Sequence, residues 1–466
     1  MSHGVSDRAG LYDAATDEAA QRAAFTGGEV PVAVYGLGKM GLPLAAVYAS
    51  VSGNTVGVDV DESVVETINA GDCHVKREPG LPELVSETVD DGALRATTDS
   101  RAAAAEATVH VLMVPTLLTD EKEPDLSILL SAVRDIGAGL SPGDLVIVES
   151  TVPPRTTADR VAPLLVEESG LPEGSFGVAA CPERTVSGEA LADIRGTHPK
   201  VVGGVDDESS RLAGLIYDEI SDNDVITTTD ATVAEAVKVF EGVYRDVNIA
   251  LANQLATYAE QLDTDLTEAI DVANTQPFCD IHAPGPGVGG HCIPVYPYFL
   301  TGAFDVDDPL LTTAREVNDG MAEYTASLLW RLLEAHGVDR PDPRVLLLGL
   351  TYKANIEELR NTPAIPVANF LAEAGASVIG VDPMLDDWST DQGGDDAGES
   401  ELDGIEYCPV DEMYEPEIDA VVLVTPHDEF AEADWDAFDA PILDGRGAID
   451  TAVVDAPVYS IGGRWP

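Results

Sequence analysis

VAVYGLGKMG, residues 32–41, decides the fold. Four apolar residues make a short strand, and Gly36, Gly38 and Gly41 form a G-x-G-x-x-G turn around Lys39 and Met40. LPLAAVYAS then continues as a helix. Gly36 permits the tight turn, Gly38 lets a pyrophosphate approach the backbone, and Gly41 allows helix and strand to pack closely. The helix N-terminus supplies N–H donors. The next strand, TVGVDV (55–60), carries Asp59, 23 residues after Gly36. A carboxylate there accepts hydrogen bonds from the adenosine ribose hydroxyls and repels a 2′-phosphate, so the cofactor expected is NAD rather than NADP.

The rest of the chain extends this pattern. Further strands are expected at 108–114, 144–149 and 176–180 with helices between them, the pattern of a parallel, doubly wound sheet. From Ala231 a helix runs for about 30 residues without proline, roughly 45 Å at 1.5 Å per residue, long enough to join two domains. Its apolar face suits a homodimer. A loop rich in Gly and Pro (284–297) and a helix near 312–336 follow. From Pro343 a second α/β unit begins, with strands in RVLLLGL, SVIGVDP and AVVLVTP; an acidic, Gly-rich surface insertion at 386–404 separates the last two. The expected fold is therefore α/β, two Rossmann-like doubly wound parallel-sheet domains joined by a long central helix. Its expected parts are an acidic N-terminal arm at 1–29 that builds no core, a nucleotide-binding domain at 30–228, a central helical domain at 229–338 and a C-terminal α/β domain at 339–466.

Composition narrows the function. Against 25 Lys and Arg stand 84 Asp and Glu, a net charge of −59 over 466 residues, and only six residues are Lys. Binding of nucleic acid through a basic surface is excluded. Such a surface repels itself unless counter-ions screen it, as they do within about 3 Å at 1 M salt. The expectation is a cytoplasmic protein of a salt-accumulating halophile. No uncharged apolar run reaches about 18 residues, so no membrane span is expected, and MSHGVSDRAG lacks the flank and apolar core of a signal peptide. Five widely spaced cysteines suit a reducing cytosol and form no C-x-x-C metal pair, so no metal is expected.

Three further constellations carry chemistry. Lys238, Glu241, Arg245 and Asn248 fall on one face of the long helix, a polar stripe that either faces solvent or lines a cleft. Gly242, in its middle, costs about 1 kcal/mol relative to Ala, which points to close approach of another group. In PGPGVGGHC (284–292) the glycines expose backbone beside the Cys292 thiol, and a flexible loop there suits a nucleophile meeting a bound ligand. His291 either contacts that ligand or packs as a buried ring. Glu149-Ser150-Thr151 and Cys181-Pro182-Glu183 stand at the carboxyl ends of expected strands, where open α/β sheets bind ligands. Position rather than residue type singles out Glu183.

Taken in order, GLGKMGLP (36–43), VDVDESVVETIN (58–69), VPT (114–116), PDLS (124–127), ESTVPPRTT (149–157), CPER (181–184), YRDVNIALANQLA (244–256), PGPGVGGHCIPV (284–295), TAREVND (313–319) and GLTYKANIEELRNTPA (349–364) resemble the nucleotide-sugar 6-dehydrogenases. The likeness covers roughly residues 31–460 and is greatest to the branch acting on UDP-N-acetylmannosamine. It implies oxidation of a sugar C6 alcohol to a carboxylate with two NAD⁺ in succession, a UDP-sugar substrate, and a role in polysaccharide biosynthesis. By position, Cys292 matches the nucleophile that forms a thiohemiacetal and then a thioester. Lys238 matches the lysine that stabilises the oxyanion near C6, and Glu183 the carboxylate that activates the hydrolytic water. Arg245, Asn248, Gly287, Gly289 and His291 would hold the sugar and UDP, and Lys353 the UDP phosphates. Arg360 would close the cofactor end, while Thr116 and Thr151 would flank the nicotinamide.

Two positions depart from that pattern. Where the resemblance implies Asn four residues after the lysine and an acidic residue four after the cysteine, this chain has Gly242 and Tyr296. The expectation is a variant water network in which Glu183 dominates. GGHC followed by Ile-Pro-Val favours UDP-N-acetylmannosamine, with UDP-N-acetylglucosamine and UDP-glucose as alternatives. A catalytically silent UDP-sugar binding protein is the alternative of another class. A β-hydroxyacid dehydrogenase would need neither the thiol nor residues 343–466.

Overall fold

A computed structural model describes residues 10–13, 15–186, 188–388 and 402–464. Most of the acidic insertion expected at 386–404 and the first nine residues lie outside them. Two compact units divide the chain: Met1–Glu241 with Tyr298–Asp305, and Gly242–Pro297 with Val306–Pro466. The division falls within the long helix Ala231–Ala256.

In chain order the first unit contains β1 (Val32–Tyr35), β2 (Thr55–Val58), β3 (Leu94–Thr97), β4 (Val109–Leu112), the small hairpin β5 (Leu117–Leu118) and β6 (Pro124–Asp125), β7 (Leu145–Val148), β8 (Gly177–Ala180), β9 (Lys200–Gly204) and β10 (Val225–Thr227). Eight of these form one sheet in the order β10-β9-β8-β7-β4-β1-β2-β3. All neighbours run parallel except β8 and β9, which pair antiparallel, Ala180 opposite Gly203. Alternation within a strand serves both faces: Val32 and Val34 enter one core, Ala33 and Tyr35 the other. A sheet covered on both sides therefore reads as a continuous apolar run. Aspartates cap the helices around it, Asp61 accepting from Ser63 N at 2.8 Å, Asp99 from Ala102 N at 3.0 Å and Asp206 from Ser209 N at 2.7 Å.

The expectation that residues 1–29 build no core is corrected. Leu11 and Phe25 are fully buried within the core on one face of the sheet. Helix Glu18–Thr26 packs on helix Asp207–Ile220, and Arg22 reaches Asp218 and Glu219, each at 2.8 Å. Its polar composition conceals one apolar face. The long helix is also shorter than its proline-free run: it stops at Ala256, and a short helix Ala259–Leu262 follows. The helix expected near 312–336 is two, Pro309–Asp319 and Met321–Ala335, divided at Gly320.

The second unit's sheet has the order β13-β12-β11-β14-β15-β16, all parallel, from β11 (Arg344–Leu348), β12 (Ser377–Val381), β13 (Ile405–Tyr407), β14 (Ala420–Leu423), β15 (Ile442–Asp444) and β16 (Val458–Ser460). The doubly wound, two-sheet architecture with a central helix is as expected. The two halves correspond residue by residue at their first turn. Gly36 follows β1 at φ 91° and donates to Val58 O, while Gly349 follows β11 at φ 86° and donates to Val381 O, both at 2.8 Å. Asp59 after β2 accepts from Leu37 N, and Asp382 after β12 accepts from Leu350 N, both at 2.7 Å.

Candidate active site

The first unit gathers its sequence-marked residues along one sheet edge, because β1, β2, β4, β7 and β8 run parallel and all end there. Gly36 and Gly41 are steric necessities: a Cβ on Gly41 would lie 1.8 Å from Gly36 O, and one on Gly36 would lie 2.3 Å from Met113 O. Gly38 differs, since a Cβ there would meet nothing within 4 Å, so its bare backbone faces open space. Met40 precedes helix Gly41–Ser52 without giving its N-terminus a side-chain cap, unlike the aspartates elsewhere; its sulfur receives the Thr185 hydroxyl at 2.9 Å. Asp59 accepts from Leu37 N and, at 3.0 Å, from Asp61 N, which leaves further lone-pair sites on a carboxylate. A bare glycine backbone, an uncapped helix start and this acid are groups of the kind that a dinucleotide's phosphates and ribose take.

Thr116 donates to Thr151 O at 2.6 Å, tying the loops after β4 and β7 together. Glu183 follows β8; its amide donates to Glu149 O at 3.1 Å, and its Oε1 is buried without a hydrogen bond in the fold. The long helix is pinned to this edge by Glu235, whose carboxylate accepts from Arg155 N at 2.6 Å and Thr157 N at 2.7 Å. Burial pushes Glu235 up to about 7, against the pull of those bonds. Lys238 stands three residues further on, about one helical turn beyond that anchor. Glu241 pairs with Arg184 at 2.6 Å.

The second unit holds the thiol. Cys292 Sγ lies 3.3 Å from His291 Nδ1, and that bond raises the imidazole pKa above the ordinary histidine value. The loop before it is packed rather than flexible. A Cβ on Gly289 would lie 2.7 Å from Tyr352 Cβ, one on Gly290 2.7 Å from Tyr352 Cε2, and one on Gly287, at φ 144°, 3.0 Å from Pro363 Cβ. Gly290 N donates to Arg360 O at 3.0 Å, and Asn361 donates to Gly290 O at 2.9 Å. The glycines thus let the loop lie directly on segment 352–363, which also carries Lys353. Arg360 points a half-exposed guanidinium toward Glu358, 3.9 Å away.

A buried polar chain fixes the loop's other end. Gly285 N donates to Asn253 at 2.9 Å, Asn253 to Asn318 at 2.9 Å, and Asn318 to Asp246 at 2.9 Å, while Arg315 reaches Asp246 at 2.6 Å. Asn248 is similarly occupied, donating to Asp280 O at 2.6 Å and accepting from His282 N at 2.9 Å; Arg245 is exposed. Gly242 and Tyr296 prove to be one feature. Tyr296 is buried on the bare glycine, where a Cβ would come within 2.4 Å of its Cδ2.

Three models of one family match in order: the NAD binding domain of the UDP-glucose/GDP-mannose dehydrogenase family at residues 30–221, its central domain at 232–320 and its UDP binding domain at 346–455. The chain belongs to the UDP-glucose/GDP-mannose dehydrogenase family. Pyrococcus horikoshii UDP-N-acetyl-D-mannosamine dehydrogenase is 35% identical over 437 residues, covering 92% of this chain and 99% of that protein. NDP-N-acetyl-D-galactosaminuronic acid dehydrogenase of Ralstonia nicotianae is 36% identical over 425 residues, covering 89% and 95%. Among solved structures, a Pyrococcus horikoshii UDP-D-ManNAc dehydrogenase aligns at a TM-score of 0.81 and 34% identity, covering 93% of this chain and 99% of that one. As a member of this dehydrogenase family the chain is an NAD-dependent UDP-sugar dehydrogenase, and the open backbone at Gly38 fits the cofactor.

For a UDP-sugar dehydrogenase, two informative residues carry little signal in the sequence. Arg446, in DGRG after β15, is half-buried; it donates to Val424 O at 3.0 Å and lies against Gly285 and Gly287 of the thiol loop. Burial pulls its pKa down to about 10. His427, in TPHDEF after β14, accepts from Asn355 N through Nδ1 at 3.0 Å, so Nε2 carries the proton, 3.1 Å from Asp382. It thereby holds the loop of Lys353 and consumes the acid that would face a ribose. Both follow strand ends in glycine- or proline-marked turns, the only local signal they had.

Proposed function

We propose that the chain oxidises the C6 alcohol of a UDP-N-acetylhexosamine, UDP-N-acetylmannosamine before UDP-N-acetylglucosamine or UDP-glucose, to the carboxylate. The observation that carries the reading is the Cys292 thiol bonded to His291 at 3.3 Å on a loop locked by glycine packing. A thiolate–imidazolium pair supplies a nucleophile at neutral pH. Relatives named for N-acetylated sugars support the substrate class.

Bound NAD⁺ supplies the hydride acceptor for both oxidations. Gly36, Gly38, Met40, Gly41 and Asp59 hold its adenosine diphosphate half, with Thr116 and Thr151 beside the nicotinamide and Arg360 closing that end. Lys238 stabilises the oxyanion at C6. After the first oxidation Cys292 sulfur forms its bond to the C6 aldehyde, and the second oxidation of that thiohemiacetal leaves a thioester. Glu183 accepts a proton from the water that attacks it, and the C–S bond breaks with its electron pair on sulfur. Arg245, Asn248, His291 and the backbone of Gly287 and Gly289 hold the sugar and uridine, while Lys353 takes the diphosphate, binding energy used for orientation.

The test is NADH yield from limiting UDP-N-acetylmannosamine, UDP-N-acetylglucosamine and UDP-glucose, each alone, in about 2 M KCl where the Debye length is a few Å. Two NADH per sugar from one of them is expected. No NADH from any of the three overturns the reading.

The same reading places the enzyme in a salt-rich cytoplasm, supported by the net charge of −59, in polysaccharide biosynthesis and as a homodimer. Val233, Phe240, Tyr244 and Leu251 make an exposed stripe along the long helix, two pairs of them seven residues apart, the pattern of a paired helix. Among the described residues no helix is long and apolar enough to cross a membrane. Light scattering in high salt should give twice the chain mass of 49.0 kDa, and dilution into low salt should unfold the protein. A monomer in high salt, or full stability without it, contradicts these points.

A further inference from the structure

Beside Glu183 lies a set of buried polar groups that the chemistry above does not use. Lys200, the first residue of β9, is only 3% exposed, although the chain has just six lysines and all ordinary solvation favours their exposure. Its Nζ stands 3.6 Å from Glu149 Oε2 and 5.1 Å from the centre of the Tyr217 ring. Glu149 is fully buried after β7, its other oxygen accepting from the Tyr217 hydroxyl. The antiparallel register of β8 and β9 pairs Ala179 with Gly204 and Ala180 with Gly203. Beyond that pairing, Glu183 N donates to Glu149 O at 3.1 Å, which joins Glu183 to the residue whose carboxylate faces Lys200.

Three polar atoms here have no hydrogen-bond partner in the fold: Lys200 Nζ, Glu149 Oε2 and Glu183 Oε1, all buried. An ammonium with donors to spare therefore adjoins a carboxylate oxygen lacking a donor. Burying donors and acceptors without full hydrogen bonding is costly, so such groups persist where they have work with a neighbour. Burial opposes the charge of Lys200, yet Glu149, Cys181 and Glu183 together raise its pKa above the ordinary lysine value, so it stays an ammonium. The groups facing it are Glu149 after β7, Cys181 and Glu183 after β8, and Tyr217 from helix Asp207–Ile220.

We propose that Lys200, anchored by Glu149 and Tyr217, is a positioning residue for Glu183, its buried ammonium drawing that carboxylate by charge into the orientation that takes the proton of the hydrolytic water. The inference rests on the reading of Glu183 as that base. Glu149 serves through Lys200: it fixes the ammonium and touches no substrate. Hydrolysis is the step affected, in which a water oxygen bonds to the thioester carbon, its proton passes to Glu183, and the C–S bond breaks to leave thiolate and uronate.

The experiment compares Lys200→Met, Lys200→Arg, the Glu149→Leu/Lys200→Met pair and Glu183→Gln, by single-turnover NADH formation and by intact-protein mass of the quenched enzyme. Removing a buried ion pair together avoids leaving a lone buried charge, so the double variant reports even if Lys200→Met fails to fold. The expected result is that Lys200→Met and the pair form NADH as the wild type does on the first turnover. They then hydrolyse roughly 10–100-fold more slowly. The mass of the sugar acyl group accumulates on the protein, and Lys200→Arg restores release. A purely structural lysine would lower both phases together, with no adduct, and that outcome overturns the proposal. Adduct on Glu183→Gln but not on the lysine variants overturns it while leaving the reading of Glu183 intact. Unchanged hydrolysis in Glu183→Gln overturns both.

Discussion

Replacing Cys292 by serine is expected to lower four-electron turnover by a factor on the order of 10⁴, as loss of a nucleophile does. The hydroxyl cannot ionise near neutral pH and forms no thioester. Replacing His291 by glutamine should act on the same thiol more selectively. Bonding to Cys292 raises the imidazole pKa, so the imidazolium survives to higher pH than for a free histidine. The thiolate–imidazolium pair then exists from the pH at which the thiol first ionises up to that raised value. Above it the imidazole proton is lost and the pair ceases. Iodoacetamide alkylation followed from about pH 5 to 9 should show a shoulder in the wild type, and His291→Gln should react about tenfold more slowly at neutral pH. Superposable profiles would remove His291 from the activation of the thiol.

The second large effect concerns Gly242. A Gly→Ala change inside a helix ordinarily gains about 1 kcal/mol. Here the new methyl would lie 2.4 Å from Tyr296 Cδ2 and 3.1 Å from its Cβ and Cγ, inside van der Waals contact with a buried ring. Overpacking costs about 1–3 kcal/mol, so Gly242→Ala should lower the melting temperature instead of raising it. Turnover should fall as well, because Tyr296 N donates to Cys292 O at 3.0 Å and a displaced ring moves the turn that bears the thiol. In a Tyr296→Ala background the sign should reverse and the alanine should stabilise. That coupling, about 2 kcal/mol in a double-mutant cycle, is the quantitative test. A stabilised Gly242→Ala in the wild-type background would show that the two residues are not in contact in solution.

Much of this protein was legible from local text. G-x-G-x-x-G between an apolar tetrapeptide and an apolar helix admits few backbones, because a positive φ at Gly36 and the contact of Gly41 with Gly36 O exclude other residues. Strands buried on both faces read as unbroken apolar runs, which located most of both sheets. The thiol stood out because glycines and a histidine flank it.

What escaped was carried by pairing across long stretches of chain. The N-terminal segment looked solvated because Leu11 and Phe25 are isolated among acids and alanines, and only helix Asp207–Ile220 and its sheet make them core. Glycines before Cys292 looked like a flexible strap, whereas Tyr352 and Pro363, more than 60 residues later, fill the places of their side chains. Asp59 and Asp382 occupy the same position in two similar turns. Only the fold shows that His427 claims Asp382, leaving the first turn as the one suited to a ribose.

Fold class and family were thus readable in residue types that local backbone geometry requires at short spacing. The tertiary structure decided which polar groups are buried, what each one bonds, and that Gly242 and Tyr296 are a single fitted pair. Burial and pairing are set by residues distant in the chain, and it is burial that turns a common carboxylate, lysine or imidazole into a group with work to do.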